Sequence, residues 1–151
     1  MSIEEKLKLM GLSVPQAPTP VGAYVPAVRV GKLLFTSGQL PLVDGVLRYH
    51  GKIGVELTEA EGYEAARICA INALAAIKTV VELSSVRQII KVTGFVNCQP
   101  EFTAQAKVVN GASDLLGQLF AGGHARSAVG VTALPLGAAV ELEMVVELGD
   151  A

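Results

Sequence analysis

Arg126 stands at the head of an apolar strand, in the run His124-Ala125-Arg126-Ser127-Ala128-Val129-Gly130-Val131. After Leu134-Pro135, Glu141 and Glu143 follow on a second, alternating strand and share one of its faces. A guanidinium leading into such a hydrophobic stretch is costly unless it is paired or receives an anion. Its planar fork suits a carboxylate gripped by two parallel N–H donors, which lysine cannot offer. The alternative is a structural ion pair between Arg126 and Glu141 or Glu143. Glutamate so placed could position a water or move protons. His124, close to Arg126 in a glycine-rich loop, is either an extra acid or base or a solvated histidine. The reaction classes that need a strong nucleophile lack support: there is no GxSxG, no Cys-His pair and no phosphate loop.

The frame that positions these residues is small and apolar. The chain has 151 residues, enough for one domain with a real core. Hydrophobic residues make up 51% and charged residues 17%, with a mean hydropathy of +0.48. No apolar run reaches the roughly 18 residues that span a bilayer, so the surplus apolar surface is expected in a subunit interface. The start Met1-Ser2-Ile3-Glu4-Glu5 lacks the basic and apolar regions of a signal peptide, and a cytoplasmic location is the default. A net charge of −2 without a basic stripe gives nucleic acid no electrostatic footprint. Cys69 and Cys98 are unclustered and read as buried free thiols, and with only His50 and His124 beside them a metal site has little support.

Ser2-Ile3-Glu4-Glu5 is a capping box that predicts a helix through Met10, stopped by Gly11. Pro15, Pro18 and Pro20 stiffen a linker, which sets residues 1–20 apart from a domain over 21–151. Tyr24–Val30 and Leu33–Ser37 read as a hairpin about Gly31-Lys32, and Leu42–Val55 as a long loop. A second capping box, Thr58 to Glu61, opens the longest helix, to about Leu83. Its stripe is Ala66, Ala70, Ala73, Leu74, Ile77 and Val81. Gln88–Asn97 is a β-branched strand. Pro100–Phe120 reads as a helix with Phe102, Ala106, Val109, Leu116 and Phe120 on one side, open to a break near Asn110-Gly111. Gly122-Gly123 stops it, and strands over Arg126–Ala133 and Ala138–Leu148 finish the chain, turning at Pro135 and Gly137. The order β-β-α-β-α-β-β predicts a two-layer α/β sandwich of the α+β type, a mixed sheet with two helices on one face. In the last strand Val140, Leu142, Met144 and Val146 point toward the helices, and Glu141, Glu143, Val145 and Glu147 toward the uncovered face.

Several motifs, in order and spacing, carry a family resemblance. They are Gly22-Ala23-Tyr24, Leu34-Phe35-Thr36-Ser37-Gly38-Gln39-Leu40-Pro41, Asn110, Ala125-Arg126-Ser127, and Leu134-Pro135 followed by Val140-Glu141-Leu142-Glu143. From about Val21 to Leu148 the chain resembles the Rid/YjgF family of reactive intermediate deaminases, in a longer subgroup with an added N-terminal helix. The resemblance implies a chorismate-mutase-like fold assembled as a homotrimer, with ligand clefts between subunits. It implies hydrolysis of 2-imino or 2-enamino acids to 2-oxo acids and ammonia, without metal or organic cofactor.

The resemblance also assigns residues. Arg126 and Glu141 become the catalytic pair, and Tyr24, Ser37, Gly38, Asn110, Arg126 and Ala128 the substrate-binding set. Gly38 would let a ligand approach its N–H, and Tyr24 would pack on the substrate or donate its hydroxyl. Each has a plainer reading, as a turn glycine, a core tyrosine or, for Asn110, a helix-breaking Asn-Gly turn. Glu143 is the alternative to Glu141 and reads as structural. The chain departs from the family at Ala128, where many deaminases have cysteine, so only a backbone carbonyl could hold water there. Gly130 replaces a larger residue and is expected to widen the cleft. The favoured expectation is thus a cofactor-free imine deaminase. Alternatives are a non-catalytic trimer that binds a small carboxylate, or regulates, and an endoribonuclease, which the acidic balance opposes.

Overall fold

The computed structural model describes residues 1–150. In chain order its elements are α1 (Ile3–Leu9), β1 (Ala27–Val30), β2 (Leu33–Thr36), β3 (Leu42–Val43), β4 (Val46–Leu47), α2 (Glu59–Lys78), β5 (Val86–Asn97), α3 (Gln105–Leu119), β6 (Ala125–Val131) and β7 (Val140–Leu148). Both capping boxes form. The Ser2 hydroxyl accepts from the Glu5 N–H at 3.1 Å while Glu5 accepts from the Ser2 N–H at 2.8 Å, and Thr58 and Glu61 repeat the exchange ahead of α2.

Five strands form one sheet in the order β1-β2-β7-β5-β6, with β5–β6 parallel and every other pairing antiparallel. α2 and α3 cover one face. Val140, Leu142, Met144 and Val146 of β7 lie buried beneath them, as the alternation predicts. The mixed sheet with helices on one face is therefore the architecture of this chain. Its other face carries Val28, Val30, Leu33, Phe35 and Val129, each between 38% and 63% exposed.

Several boundaries differ from the sequence reading. Residues 42–55 are not one loop: β3 and β4 pair across Asp44-Gly45, with φ of 50° and 77°, the two-residue turn that Asp-Gly favours. β1 starts at Ala27 because Pro26 has no N–H for a ladder. α2 ends at Lys78, where the β-branched run Thr79-Val80-Val81 begins, and the Thr79 hydroxyl turns back to the Ala76 carbonyl at 2.6 Å. A 3-10 turn over Leu83–Ser85 then leads into β5.

α3 begins at Gln105 and runs unbroken through Asn110-Gly111. Its buried face is Val108, Val109, Ala112, Leu115, Leu116 and Leu119, while Ala106 is exposed. Gly111 is there for closeness. A Cβ at that position would stand 2.8 Å from the Tyr63 carbonyl carbon of α2 and nearer still to its oxygen. Gly117, on the exposed side of the same helix, has nothing within 4 Å of its would-be Cβ.

The two glycines should therefore respond oppositely to alanine. Gly117→Ala is expected to stabilise by about 0.5–1 kcal/mol through helix propensity. Gly111→Ala is expected to destabilise by about 2 kcal/mol or more, because backbone meets Cβ and overpacking outweighs propensity. Urea unfolding of both variants checks the sign at each position.

Candidate functional site

Arg126 lies on β6, the edge strand, paired with Val92 of β5. Val92 is fully buried on the helix side, so Arg126 points between the sheet edge and α3. There its Nη1 donates to Asn110 Oδ1 at 2.7 Å and to Ser113 Oγ at 3.2 Å. Asn110 and Ser113 are three apart on α3 and so share one helical face. A guanidinium has five N–H donors in a fixed fork. These two contacts use both Nη1 hydrogens and leave the edge formed by Nε and Nη2 for an incoming carboxylate. Ser113 Oγ is in turn 2.9 Å from His124 Nε2. Burial, and then the Arg126 charge, lower the His124 pKa below the usual 6.5.

A second cluster forms where β2 ends. Phe35 faces Val145, but Gln39 faces Leu142, so between these pairs three residues, Thr36–Gly38, oppose two, Glu143 and Met144. This bulge takes Ser37 and Gly38 out of the β7 ladder, and the Ser37 N–H turns to the Pro26 carbonyl at 2.8 Å. The Thr36 hydroxyl takes the Met144 N–H at 3.0 Å, and Gln39 resumes pairing with Leu142 in both directions. From below, the buried Asn72 amide of α2 donates to the Leu40 and Leu42 carbonyls, each at 2.9 Å. The Glu141 carboxylate rests over Gly38, where a Cβ would stand 2.9 Å from Glu141 Cδ. Burial, and then the Glu143 charge, raise the Glu141 pKa above the usual 4.5. Ser37 spends its hydroxyl on the Val25 carbonyl at 2.6 Å, which anchors the segment bearing Tyr24. Exposed Tyr24 accepts the Val21 N–H at 3.1 Å and borders, with Pro26, Gly38 and Gln39, a small hollow roofed by the proline linker.

The two clusters lie on opposite sides of the sheet. Arg126 and Ala128 pair with Val92 and Gly94 on the helix side, whereas Glu141 and Glu143 pair with Phe95 and Thr93 on the open side. Arg126 therefore makes no ion pair with either glutamate, and its site cannot close on Glu141 within one chain. A model of the family described as "YjgF/chorismate mutase-like, putative endoribonuclease" matches residues 4–148. This chain is a member of the Rid/YjgF family.

The Rid/YjgF chain is 41% identical over 152 residues to "Protein TCP17" of Trypanosoma cruzi, an alignment covering 98% of this chain and 95% of that one. It is 32% identical over 138 residues to a 2-iminobutanoate/2-iminopropanoate deaminase of Dermatophagoides farinae, covering 89% and 93%. The crystal structure of Atu1372, a protein of unknown function from Agrobacterium tumefaciens, superposes with a TM-score of 0.91 at 40% identity, covering 97% and 92%.

In this Rid/YjgF chain, six of the residues singled out in the sequence fall into two groups of three. Asn110, Arg126 and Ala128 gather on the helix side of the edge strand, and Tyr24, Gly38 and Glu141 gather at the bulge with Ser37 beneath them. Gly130 does not widen a cleft. The space beside it is filled by Cys98 Sγ and Gln105 Nε2, each 2.8 Å from its would-be Cβ. Cys69 and Cys98 are free and buried. His124 is half-buried and hydrogen-bonded. Sequence reasoning missed Ser113 and Asn72. The signal for Ser113 was its spacing from Asn110; Asn72, a polar residue inside the alanine-rich α2, was its own signal.

The Glu141 carboxyl is expected to titrate above the ordinary glutamate range, and Glu143→Gln should bring it part of the way down, since burial, the larger cause, remains. Carboxyl ¹³C shifts followed through a pH titration of both proteins check this.

Proposed function

We propose that this protein hydrolyses 2-imino acids, and their 2-enamino tautomers, to 2-oxo acids and ammonia in clefts between neighbouring copies. One observation carries the reading: a guanidinium fixed in plane by Asn110 and Ser113, with its Nε/Nη2 edge free and no carboxylate of the described residues beside it. A half-buried, pre-oriented fork of that kind is complementary to a substrate carboxylate. The deaminase name carried by the mite relative supports the same class of substrate.

In this reading Arg126 grips the carboxylate and the Gly38 N–H completes the grip from the neighbouring copy. Tyr24 and Ser37 shape the wall, and the Ala128 backbone carbonyl and Glu141 hold the attacking water. Imines hydrolyse in water unaided, so orientation and charge placement suffice for a useful acceleration. No metal or organic cofactor enters any step. The assembly that joins the halves is a homotrimer, in which the exposed apolar sheet face is buried around the axis and each edge strand meets the next copy's bulge. The surface supports this, since Val28, Val30, Leu33 and Phe35 otherwise leave a continuous apolar strip in water. An acidic chain of net charge −2 gives an endoribonuclease reading no such support.

Ammonia release from an imino acid generated in situ by an amino-acid oxidase should exceed the spontaneous rate. Arg126→Ala should lower kcat/KM by about 100-fold or more, the scale of two charge-assisted hydrogen bonds, and Arg126→Lys should recover little. Co-expressing Arg126→Ala with Glu141→Ala chains should return about a quarter of wild-type activity, the share of interfaces that random mixing leaves with both halves intact. A wild type that binds 2-oxo acids through Arg126 yet releases no extra ammonia would sink the catalytic reading in favour of a binding trimer. Mixed chains that stay inactive would sink the shared cleft.

A further inference from the structure

We propose that His124 is a positioning residue of the carboxylate site: it takes up a proton when an anion settles on Arg126, and in its charged form it holds that anion more tightly. The inference rests on the Arg126 half of the reading above and not on turnover. It stands on one shared hydroxyl. Ser113 Oγ lies 3.2 Å from Arg126 Nη1 and 2.9 Å from His124 Nε2, so guanidinium and imidazole are two hydrogen bonds apart. Arginine only donates, and a hydroxyl oxygen has two lone pairs. Whichever tautomer the neutral ring adopts, the protonated ring donates from both nitrogens. Ser113 Oγ can then accept from Arg126 and His124 together, with its own proton turned away. The loop bearing the imidazole is also held in place. Gln88 Nε2 donates to the Gly122 and Gly123 carbonyls at 3.1 and 3.3 Å, immediately before His124.

Two cations this close oppose each other. Burial, and then the Arg126 charge, therefore favour the neutral imidazole. A carboxylate on the Nε/Nη2 edge brings a negative charge to the guanidinium and offsets that repulsion. Both side chains are half-buried, so salt screens them less than it would a surface pair. Linkage makes the effect reciprocal. The factor by which the anion favours the protonated ring is the factor by which the protonated ring favours the anion.

The other charges on the packed elements point elsewhere. Asp114 of α3 accepts the Tyr63 hydroxyl at 2.7 Å on the α2 side. Lys107 of α3 borders a hollow with Glu59 and Glu64 of α2. Lys6 of α1 is spent on the Leu119 carbonyl at 3.1 Å. Lys91 of β5 pairs with Ala125 and Val145 on the open face. The sign follows. Anion affinity is highest below the His124 pKa and is lost as pH rises through it. Glu141, supplied by the neighbouring copy in this reading, also sheds negative charge on acidification and must be removed to isolate the histidine.

The test follows the His124 Cε1–H resonance through a pH titration, with and without saturating pyruvate. His50, the other histidine, is the resonance that persists in His124→Gln. The His124 pKa should rise when pyruvate binds. In Arg126→Ala it should already be higher, and pyruvate should no longer move it. Calorimetric pyruvate affinity in Glu141→Gln should tighten about fivefold from about pH 8 to about pH 5, the lower end of couplings between linked sites. Adding His124→Gln should flatten that dependence. A His124 pKa that stays or falls on saturation, or a pH dependence that survives His124→Gln, would overturn the coupling and leave Arg126 as the carboxylate site. Pyruvate that fails to bind, or binds Arg126→Ala equally well, would overturn both.

Discussion

The depth to which α3 sinks between the sheet and α2 is the constraint on which the site rests. Two glycines set it. At Gly94 of β5 a Cβ would stand 2.7 Å from Val109 Cγ1, and at Gly111 a Cβ would run into the Tyr63 carbonyl. With no Cβ at either position, α3 seats its Val109 side chain against the β5 backbone and its own backbone against α2. That depth decides how far Asn110 and Ser113, on the flank of the same helix, reach toward the edge strand. The 2.7 Å bond from Arg126 to Asn110 is thus set by packing made elsewhere. A guanidinium held from behind in this way loses little rotamer freedom when an anion arrives, which lowers the entropic cost of binding.

Much of this was legible in the residues, and the reasons for the rest are physical. Capping boxes and strand alternation are local codes, so α1, the start of α2 and the buried row of β7 could be read directly. The β3–β4 hairpin was also locally coded, by Asp44-Gly45, but strands of two residues are too short to alternate. The break near Asn110-Gly111 did not occur because tertiary contact with Tyr63 outweighs the intrinsic cost of glycine in a helix. The relation between Arg126 and Glu141 was the hardest to read. Each strand's alternation says which residues share a face, but not which face of one strand matches which face of another. That depends on the pairing of β5 with both β6 and β7, a non-local fact. The motifs for each half were visible, and the separation of the halves was not.

The two clusters also differ in their electrostatic surroundings. On the open side, two carboxylates on one face and partial burial push Glu141 toward its neutral form. On the helix side, a cation and partial burial push His124 toward its neutral form. Unlike surroundings thus move the pKa values of this acid and this base toward each other.

The N-terminal helix has a bearing on the site that its distance in sequence conceals. Leu7 is fully buried in the core, and Lys6 Nζ reaches the Leu119 carbonyl at 3.1 Å, at the very end of α3. Glu4 meets Lys78 at 3.8 Å on the exposed end of α2, an ion pair of little weight by comparison. Lys6 therefore caps the last carbonyl of α3, where its charge also complements the helix dipole. Five residues beyond that terminus, past Gly122-Gly123, comes His124. α1 thus works as a fastener on the ramp between helix and edge strand, and a chain trimmed of it would uncover the core beneath Leu7 and release the end of α3 from which the imidazole is hung.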